Sequence, residues 1–481
     1  MEDNLKQRTA KGFAWGLANQ GSMQVLNLVF GIVLARNLDP ADYGVVGVLS
    51  VFTLIAGNLQ ACGLTQGLCN MECPEQKDYN SVFWFNISMS AALYIVLFLS
   101  APLIARFFNE PALLNVSRLV FLTIPLSAVS IIAGAYMFKN LMVKETTIIG
   151  IIALIVSGIV GVTLALLKCS YWSLAWQQVT YTTVITIGRY VVCPIRPSWH
   201  FTFEPVRRML PFSVKMMLTT VLNSLSGQLL TVVFAHIFKM RVVGHYSQAN
   251  KWNTMASGML QGTVSQIAQP VLAEIRNDQD RSLRVLRKMV RLTAFLSFPA
   301  MFGLSLVAEE FILTTIGAEW LACVDMLRVL AVAGSTLPLY ALLQNTAISH
   351  GRSDIYLWLN VVQIACQLLI VILLRHHAII CMIAATSVFT ILFLLVWHAF
   401  TRRLTTDYRL RFLLADTLPF ALTAAAVMLI TWWLTSLLSV HYTLLLVLRI
   451  ALAGILYMAT MYAAKAEIMR ECLRIALKTR Q

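Results

Sequence analysis

The amino-acid sequence predicts an all-α membrane protein of about fourteen transmembrane helices, and three observations carry that prediction. Of 481 residues, 58% are apolar and only 12% charged, against roughly 25% charged in a typical soluble domain. The apolar residues fall in blocks of about 18 or more, long enough to cross a bilayer. Short polar or charged clusters separate the blocks. A soluble fold has no interior large enough to hide so much hydrocarbon.

The first predicted span, Gly12 to Ala35, follows a charged opening. It is a full-length span rather than a short apolar region with a small-residue cleavage site, so it is expected to act as its own insertion signal. Spans two to six follow at Tyr43–Gly63, Val82–Ile104, Ser117–Phe138, Thr146–Leu167 and Trp172–Val192. Spans seven to ten are Pro211–Phe238, His245–Gln269, Leu292–Thr315 and Ala322–His350. Spans eleven to fourteen are Ile355–Leu374, Ala378–Phe400, Leu413–Thr435 and Tyr442–Ala464. The two longest connections, around Pro194–Leu210 and Pro270–Arg291, leave no room for a soluble catalytic domain. A faint repeat at an offset of 200 residues aligns Leu34-Ala35-Arg36 through Tyr43-Gly44 with Phe234-Ala235-His236 through Val243-Gly244. It sets span seven opposite span one, as in transporters built from repeats. The expected organisation is two pseudo-symmetric six-helix lobes, 1–196 and 197–411, followed by two helices and a basic tail, 412–481.

Formal net charge is +15, a value that in a soluble chain would point to nucleic acid. The placement of the charge gives a different reading. With the N-terminus cytoplasmic, about 25 of the 37 lysines and arginines fall in cytoplasmic segments and about six outside, as the positive-inside rule requires. Arg276, Arg281, Arg284, Arg287, Lys288 and Arg291 form the densest cluster, and Lys465, Arg470, Arg474, Lys478 and Arg480 follow in the tail. These cations set topology and attract anionic lipid headgroups, so membrane lipids are expected partners and nucleic acid is not. Both termini are expected in the cytoplasm. Of nine cysteines only Cys69 and Cys73 lie close together, in a loop on the reducing side, so free thiols are expected. No histidine stands at metal-ligand spacing from another, and neither metal nor cofactor is expected.

Polar residues inside a span are costly unless they face a bundle interior or a wet cavity. In span eight, Ser247, Lys251, Thr254, Gly258, Gln261, Ser265 and Gln269 share one face at about 100° per residue. Span one carries Gly16, Gln20, Gln24, Asn27 and Gly31 on one face, and span seven carries Lys215, Thr219, Asn223 and Ser226. Such faces suggest an aqueous cavity between the lobes. They also suit close helix packing through small and amide residues, and Lys215 or Lys251 could snorkel to the interface.

The acids narrow the choice of cargo. Between Thr146 and Gln269 only Glu204 is acidic, and the apolar cores of the first eight spans hold no Asp or Glu. A cation or drug exporter needs a membrane carboxylate to neutralise its cargo. The buried charges here are positive, which fits an anionic cargo such as a phosphate or pyrophosphate held by charge-assisted hydrogen bonds. Lys215 and Lys251 are the candidate phosphate contacts, and Gln24, Asn27, Asn223 and Gln261 suit sugar hydroxyls. Asp325 and Arg328, three residues apart on one helix face, are expected to satisfy each other. Arg118 and Arg189 lie near span ends where snorkelling is easy. Arg449 is deeper, with a lipid headgroup or Asp416 as partner. Glu309, Glu310, Asp325 and Asp416 are the acids available for coupling to an ion.

Four motifs resemble those of a known family. They are Leu38-Asp39-Pro40-Ala41-Asp42-Tyr43-Gly44 after span one, Phe108-Asn109-Glu110-Pro111 after span three, Gly244-His245-Tyr246-Ser247 at span eight, and Ile316-Gly317-Ala318-Glu319-Trp320 after span nine. In order and spacing they resemble the polysaccharide flippases, the O-antigen, colanic acid and capsule transporters of the multidrug/oligosaccharidyl-lipid/polysaccharide exporter superfamily. The resemblance covers nearly the whole chain. It implies two six-helix lobes, a cationic cavity lined by spans one, two, seven and eight, and no catalytic motif. It also implies a bacterial inner-membrane protein that moves an undecaprenyl-pyrophosphate-linked oligosaccharide from the inner to the outer leaflet by alternating access, for polysaccharide or lipopolysaccharide synthesis. Polysaccharide polymerase machinery is then a candidate partner. The rival readings are a drug or metabolite exporter of the same superfamily, disfavoured by the missing carboxylates, and a polysaccharide polymerase or ligase, disfavoured by the short external loops.

Overall fold

A hydrocarbon environment forces every backbone N–H and C=O to find its partner within its own segment, which leaves helices as the way for such a sequence to cross it. The computed structural model describes residues 21–469 apart from 62, 72–73, 141, 200, 275–277, 351, 405–407, 439 and 465–467, and apart from some side chains within helices. No strand occurs among the described residues. The chain divides into two compact units, Met1–Gly244 and His245–Gln481.

In the first unit, residues 21–37 form α1. Then come α2 (Pro40–Ala61), α3 (Leu64–Asn70), α4 (Gln76–Phe107), α5 (Ala112–Phe121), α6 (Thr123–Val129), α7 (Ile131–Lys139), α8 (Val143–Leu166), α9 (Trp172–Val192) and α10 (Glu204–Ile237). The boundary falls within α11 (Met240–Glu274). The second unit continues with α12 (Gln279–Leu306), α13 (Ala308–Thr315), a 3-10 turn at Ala318–Trp320, α14 (Ala322–Gly334) and α15 (Leu337–Ser349). It ends with α16 (Ser353–Leu373), α17 (Ile379–Leu404), α18 (Leu410–Ser436) and α19 (Tyr442–Ala463).

Among the described residues, ten helical segments are long and apolar enough to cross a membrane, and the protein is a multi-pass membrane protein. Leu99, Ile159, Leu373 and Leu429, all on those segments, are more than half exposed, as side chains facing lipid would be. Of the four other predicted spans, the first begins outside the described residues. The remaining three are α9, α10 and α11, which at 21, 34 and 35 residues have the length for a crossing but are more polar than the ten.

Three predicted spans are interrupted, and proline explains two of the breaks. The ninth divides at Val307 between α12 and α13, and the fourth divides into α5, α6 and α7, its first break falling where Pro125 has no N–H to offer the carbonyl of Phe121 four residues back. The tenth divides into α14 and α15, where Pro338 likewise leaves the Gly334 carbonyl without its helical donor. Hydroxyls of Ser127, Ser130, Ser335 and Thr336 bond back to carbonyls three residues earlier at these breaks.

The repeat at an offset of 200 is visible in the backbone. A helix ends at residue 37 and again at 237, and the next begins at 40 and again at 240. The two hairpins meet through reciprocal glycines. A Cβ on Gly44 would collide with the Met240 carbonyl, and one on Gly244 would collide with the Pro40 carbonyl. Small residues at a helix crossing allow this backbone approach. The first hairpin is closed by a capping box: the Asp39 side chain accepts from Ala41 N at 2.9 Å, and Asp42 accepts from Asp39 N at 3.1 Å. Asp42 also accepts from the Ser170 hydroxyl.

The first unit packs around Val48, Leu49, Val116, Val120 and Phe121. The second packs around Phe295, Trp397, Tyr408, Phe420 and Tyr457. Both cores hold large aromatic and branched residues that touch across helices, as dispersion requires where no hydrophobic effect operates between lipid-facing surfaces.

Candidate functional site

The predicted contact residues divide between the units. On α1, Gln24 is half-buried and Asn27 exposed. Lys215 and Asn223 belong to α10, but their side chains lie outside those described, as do those of Thr219, Ser226 and Gln269. Gly16, Gln20, Cys73, Arg276 and the basic tail from Lys465 are also outside the described residues, save for Ile468 and Met469 within that tail. On α11, Lys251 is half-buried, and among the described residues no carboxylate comes within 4.0 Å of its ammonium. Its Nζ lies 5.9 Å from the Trp252 ring centroid, a cation–π contact rather than an ion pair. One turn before it, the Ser247 hydroxyl is buried without a hydrogen-bond partner. Thr254 and Gly258 on the same stripe are exposed, Gln261 is half-buried, and Ser265 is used internally, accepting from Asn345 Nδ2 at 3.1 Å. The stripe therefore mixes open positions with one that glues helices.

Two other arginines within spans meet carboxylates. Arg328 meets Asp325 at 3.1 Å, as its spacing predicts, and also Glu309 at 2.9 Å. Arg449 does not reach Asp416, one of the two partners considered for it. Its Nη1 lies 2.6 Å from Glu310 Oε1 and its Nε donates to Thr435 Oγ1 at 3.0 Å. Asp416 is clamped instead by Arg287, at 2.8 and 3.0 Å, and by Arg291 at 3.3 Å. The reason is helix adjacency: α12, which carries both arginines, packs along α18, which carries Asp416. Glu310 and Asp416, two of the acids considered for ion coupling, are thus each bound by arginine. Arg118 lies 4.4 Å above the Phe98 ring.

Arg189, three residues from the end of α9, stands on the wall of a cavity of about 410 Å³ inside the first unit, together with Gly57 and Gln60 of α2, Thr65 of α3, Ser127 of α6 and Gly134 of α7. Its Nη1 donates to Ser130 Oγ at 3.3 Å. Gly134 makes room for the guanidinium, since a Cβ there would stand 3.0 Å from Nη1. No carboxylate among the described residues comes within ion-pair distance of Arg189. Gln60 is 2% exposed, its Oε1 accepts from Ser127 Oγ at 3.0 Å, and its Nε2 is buried with no partner among the described residues. Ser127 within α6 and Ser130 at the α6–α7 break supply the hydroxyls beside the cavity. Sequence reasoning passed over Gln60. An amide near the end of a span, facing a proline-broken neighbour, was the signal available.

The four motifs of the resemblance have structural duties. Asp39 and Asp42 cap α2, Asn109 takes the left-handed conformation at φ 51°, and Gly317 turns the chain at φ 98°. Trp320 is fully buried and meets His245 edge-on at 5.7 Å.

The chain is similar to the succinoglycan biosynthesis transport protein ExoT of Rhizobium meliloti (strain 1021), with 25% identity over 327 residues, 68% of this chain and 66% of that protein. It is similar to the lipopolysaccharide biosynthesis protein WzxC of Escherichia coli (strain K12), with 23% identity over 368 residues, 74% and 73% of the two chains. Its fold is that of the lipid II flippase MurJ in an inward closed conformation, with a TM-score of 0.75 over 95% of this chain and all of the other at 16% identity. Across residues 33–325 it matches the sequence model of the polysaccharide biosynthesis protein family, and to that family the chain belongs.

Proposed function

We propose that the protein is a flippase that carries a lipid-linked oligosaccharide across the cytoplasmic membrane of a bacterium for polysaccharide or lipopolysaccharide synthesis. The observation that carries the reading is electrostatic. Arg328 and Arg449 have carboxylate partners, whereas Lys251, Arg189 and Arg118 have none among the described residues. An unpaired cation held in a membrane protein is a costly arrangement that an anionic cargo relieves. The family membership and the printed roles of the relatives, transport for succinoglycan and biosynthesis of lipopolysaccharide, support the same reading.

The cargo is an undecaprenyl-pyrophosphate-linked repeat unit. Lys215 and Lys251 hold its phosphates, while Gln24, Asn27, Asn223 and Gln261 meet sugar hydroxyls. The prenyl tail stays in lipid, and the headgroup site opens alternately to each face. The helices group as 1–196, 197–411 and 412–481, with both termini cytoplasmic. No chemistry is performed on the cargo, so the protein is a transporter rather than an enzyme, working beside the polymerase machinery. The physical need is plain, because a hydrated, charged head cannot cross about 30 Å of hydrocarbon unaided.

The test is a leaflet assay in vesicles containing the purified protein and a fluorescent prenyl-pyrophosphate glycan. The expected result is that the fraction reachable by a membrane-impermeant quencher rises to include the lipid that began on the inner leaflet. Vesicles in which that fraction stays at its protein-free level would overturn the function.

A further inference from the structure

The cavity of the first unit has a mostly apolar lining into which one arginine and one amide are set. Arg189 supplies a planar fork of donors with one weak commitment, to Ser130 at 3.3 Å, and no acid among the described residues answers its charge. Gln60 is held with its carbonyl toward Ser127, so its buried NH2 is left as a donor with nothing to donate to among the described residues. A buried unsatisfied donor is destabilising, and an arriving acceptor relieves it. A volume of about 410 Å³ falls in the range of roughly 300–1,000 Å³ seen for small-molecule sites. The cavity also lies at a defined end of the unit. Gln60 is one residue from the end of α2 at Ala61, and Arg189 three from the end of α9 at Val192. Both are ends that the charge bias assigns to the cytoplasm.

We propose that this cavity is a capture site for a phosphate-class anion, the pyrophosphate of the cargo, with Arg189 gripping phosphate oxygens and the Gln60 amide donating to a further one. The identity of the cargo rests on the flippase reading; the anion chemistry of the cavity does not. Arginine suits the task because its fork matches phosphate geometry and its charge persists in a partly desolvated site. Gly134 is a positioning residue, and a side chain there pushes the guanidinium off the cavity wall.

The experiment uses the full chain in phosphatidylcholine nanodiscs, with inorganic pyrophosphate, farnesyl pyrophosphate and farnesol as probes, read by native mass spectrometry and calorimetry. Both pyrophosphates are expected to bind and farnesol not. Arg189→Gln is expected to weaken binding by about tenfold or more, Gln60→Leu by a few-fold, and Arg189→Lys by less than Arg189→Gln, in line with one charged and one neutral hydrogen bond. Should Arg189→Gln fail to fold, Thr65→Cys carries the test alone, since pyrophosphate is expected to shield that thiol on the cavity wall from maleimide. Unchanged affinity in Arg189→Gln, or no shielding at Thr65→Cys, overturns the site. An Arg189 dependence that appears only when phosphatidylglycerol is present also overturns it, because the occupant is then bulk lipid. Arg189-dependent pyrophosphate binding without glycan flipping upholds the cavity and removes the flippase reading. Normal flipping with Arg189-independent binding removes the cavity and leaves the flippase reading standing.

Discussion

Arg449 in the second unit and Arg189 in the first are both arginines within helices, and their surroundings differ. Arg449 and Glu310 are each 8% exposed at the side chain and stand 2.6 Å apart, with Thr435 taking a further donor. Arg189 faces a cavity beside an unsatisfied amide. The same side chain is a cross-brace in one unit and an open electrostatic socket in the other. The distinction lies in the partner alone, since both sequences read as a cation in an apolar helix. A cation supplied with its own carboxylate has no charge left to offer a ligand, and one left without a carboxylate has.

That contrast is broken most forcefully at its structural end. Replacing Glu310 with Gln leaves Arg449 buried and unpaired, and the expected loss is about 3–5 kcal/mol of stability. Thermal denaturation of the purified protein in detergent measures it, and an unchanged melting temperature would show that the pair braces nothing. The paired but exposed case should be far milder. Arg328 is 40% exposed and its acids 49% and 76%, so Arg328→Gln is expected to cost less than about 1 kcal/mol, seen in the same melt. The unpaired case should invert the pattern. Lys251→Ala removes no ion pair, so it is expected to leave the melt and the membrane insertion near those of the parent while glycan export falls sharply. Undiminished export would take Lys251 out of the site.

The motifs teach a related lesson about what family resemblance marks. Asp39, Asp42, Asn109 and Gly317 hold caps and turns, and Gly44 and Gly244 permit two backbones to touch. Turn geometry tolerates few residue types, so it writes a legible pattern. A phosphate site tolerates any cation that reaches the anion, so it writes almost none.

The span pattern was legible because hydrocarbon imposes it: α19 runs from Tyr442 to Ala463, as its apolar block does. The stripe bearing Lys251 was legible for the same reason, as period and polarity are local. Even the reach of Arg328 to Asp325 needed only helical spacing. Tertiary structure alone decided that Arg449 meets Glu310 rather than Asp416, because that depends on which helices are neighbours across more than a hundred residues of chain. It alone decided that Arg189 meets Ser130 at a cavity that Gln60 and Ser127 also line, since a side chain's neighbours follow from how the helices pack. Local sequence sets what each helix is, and the space between helices sets what each charge is for.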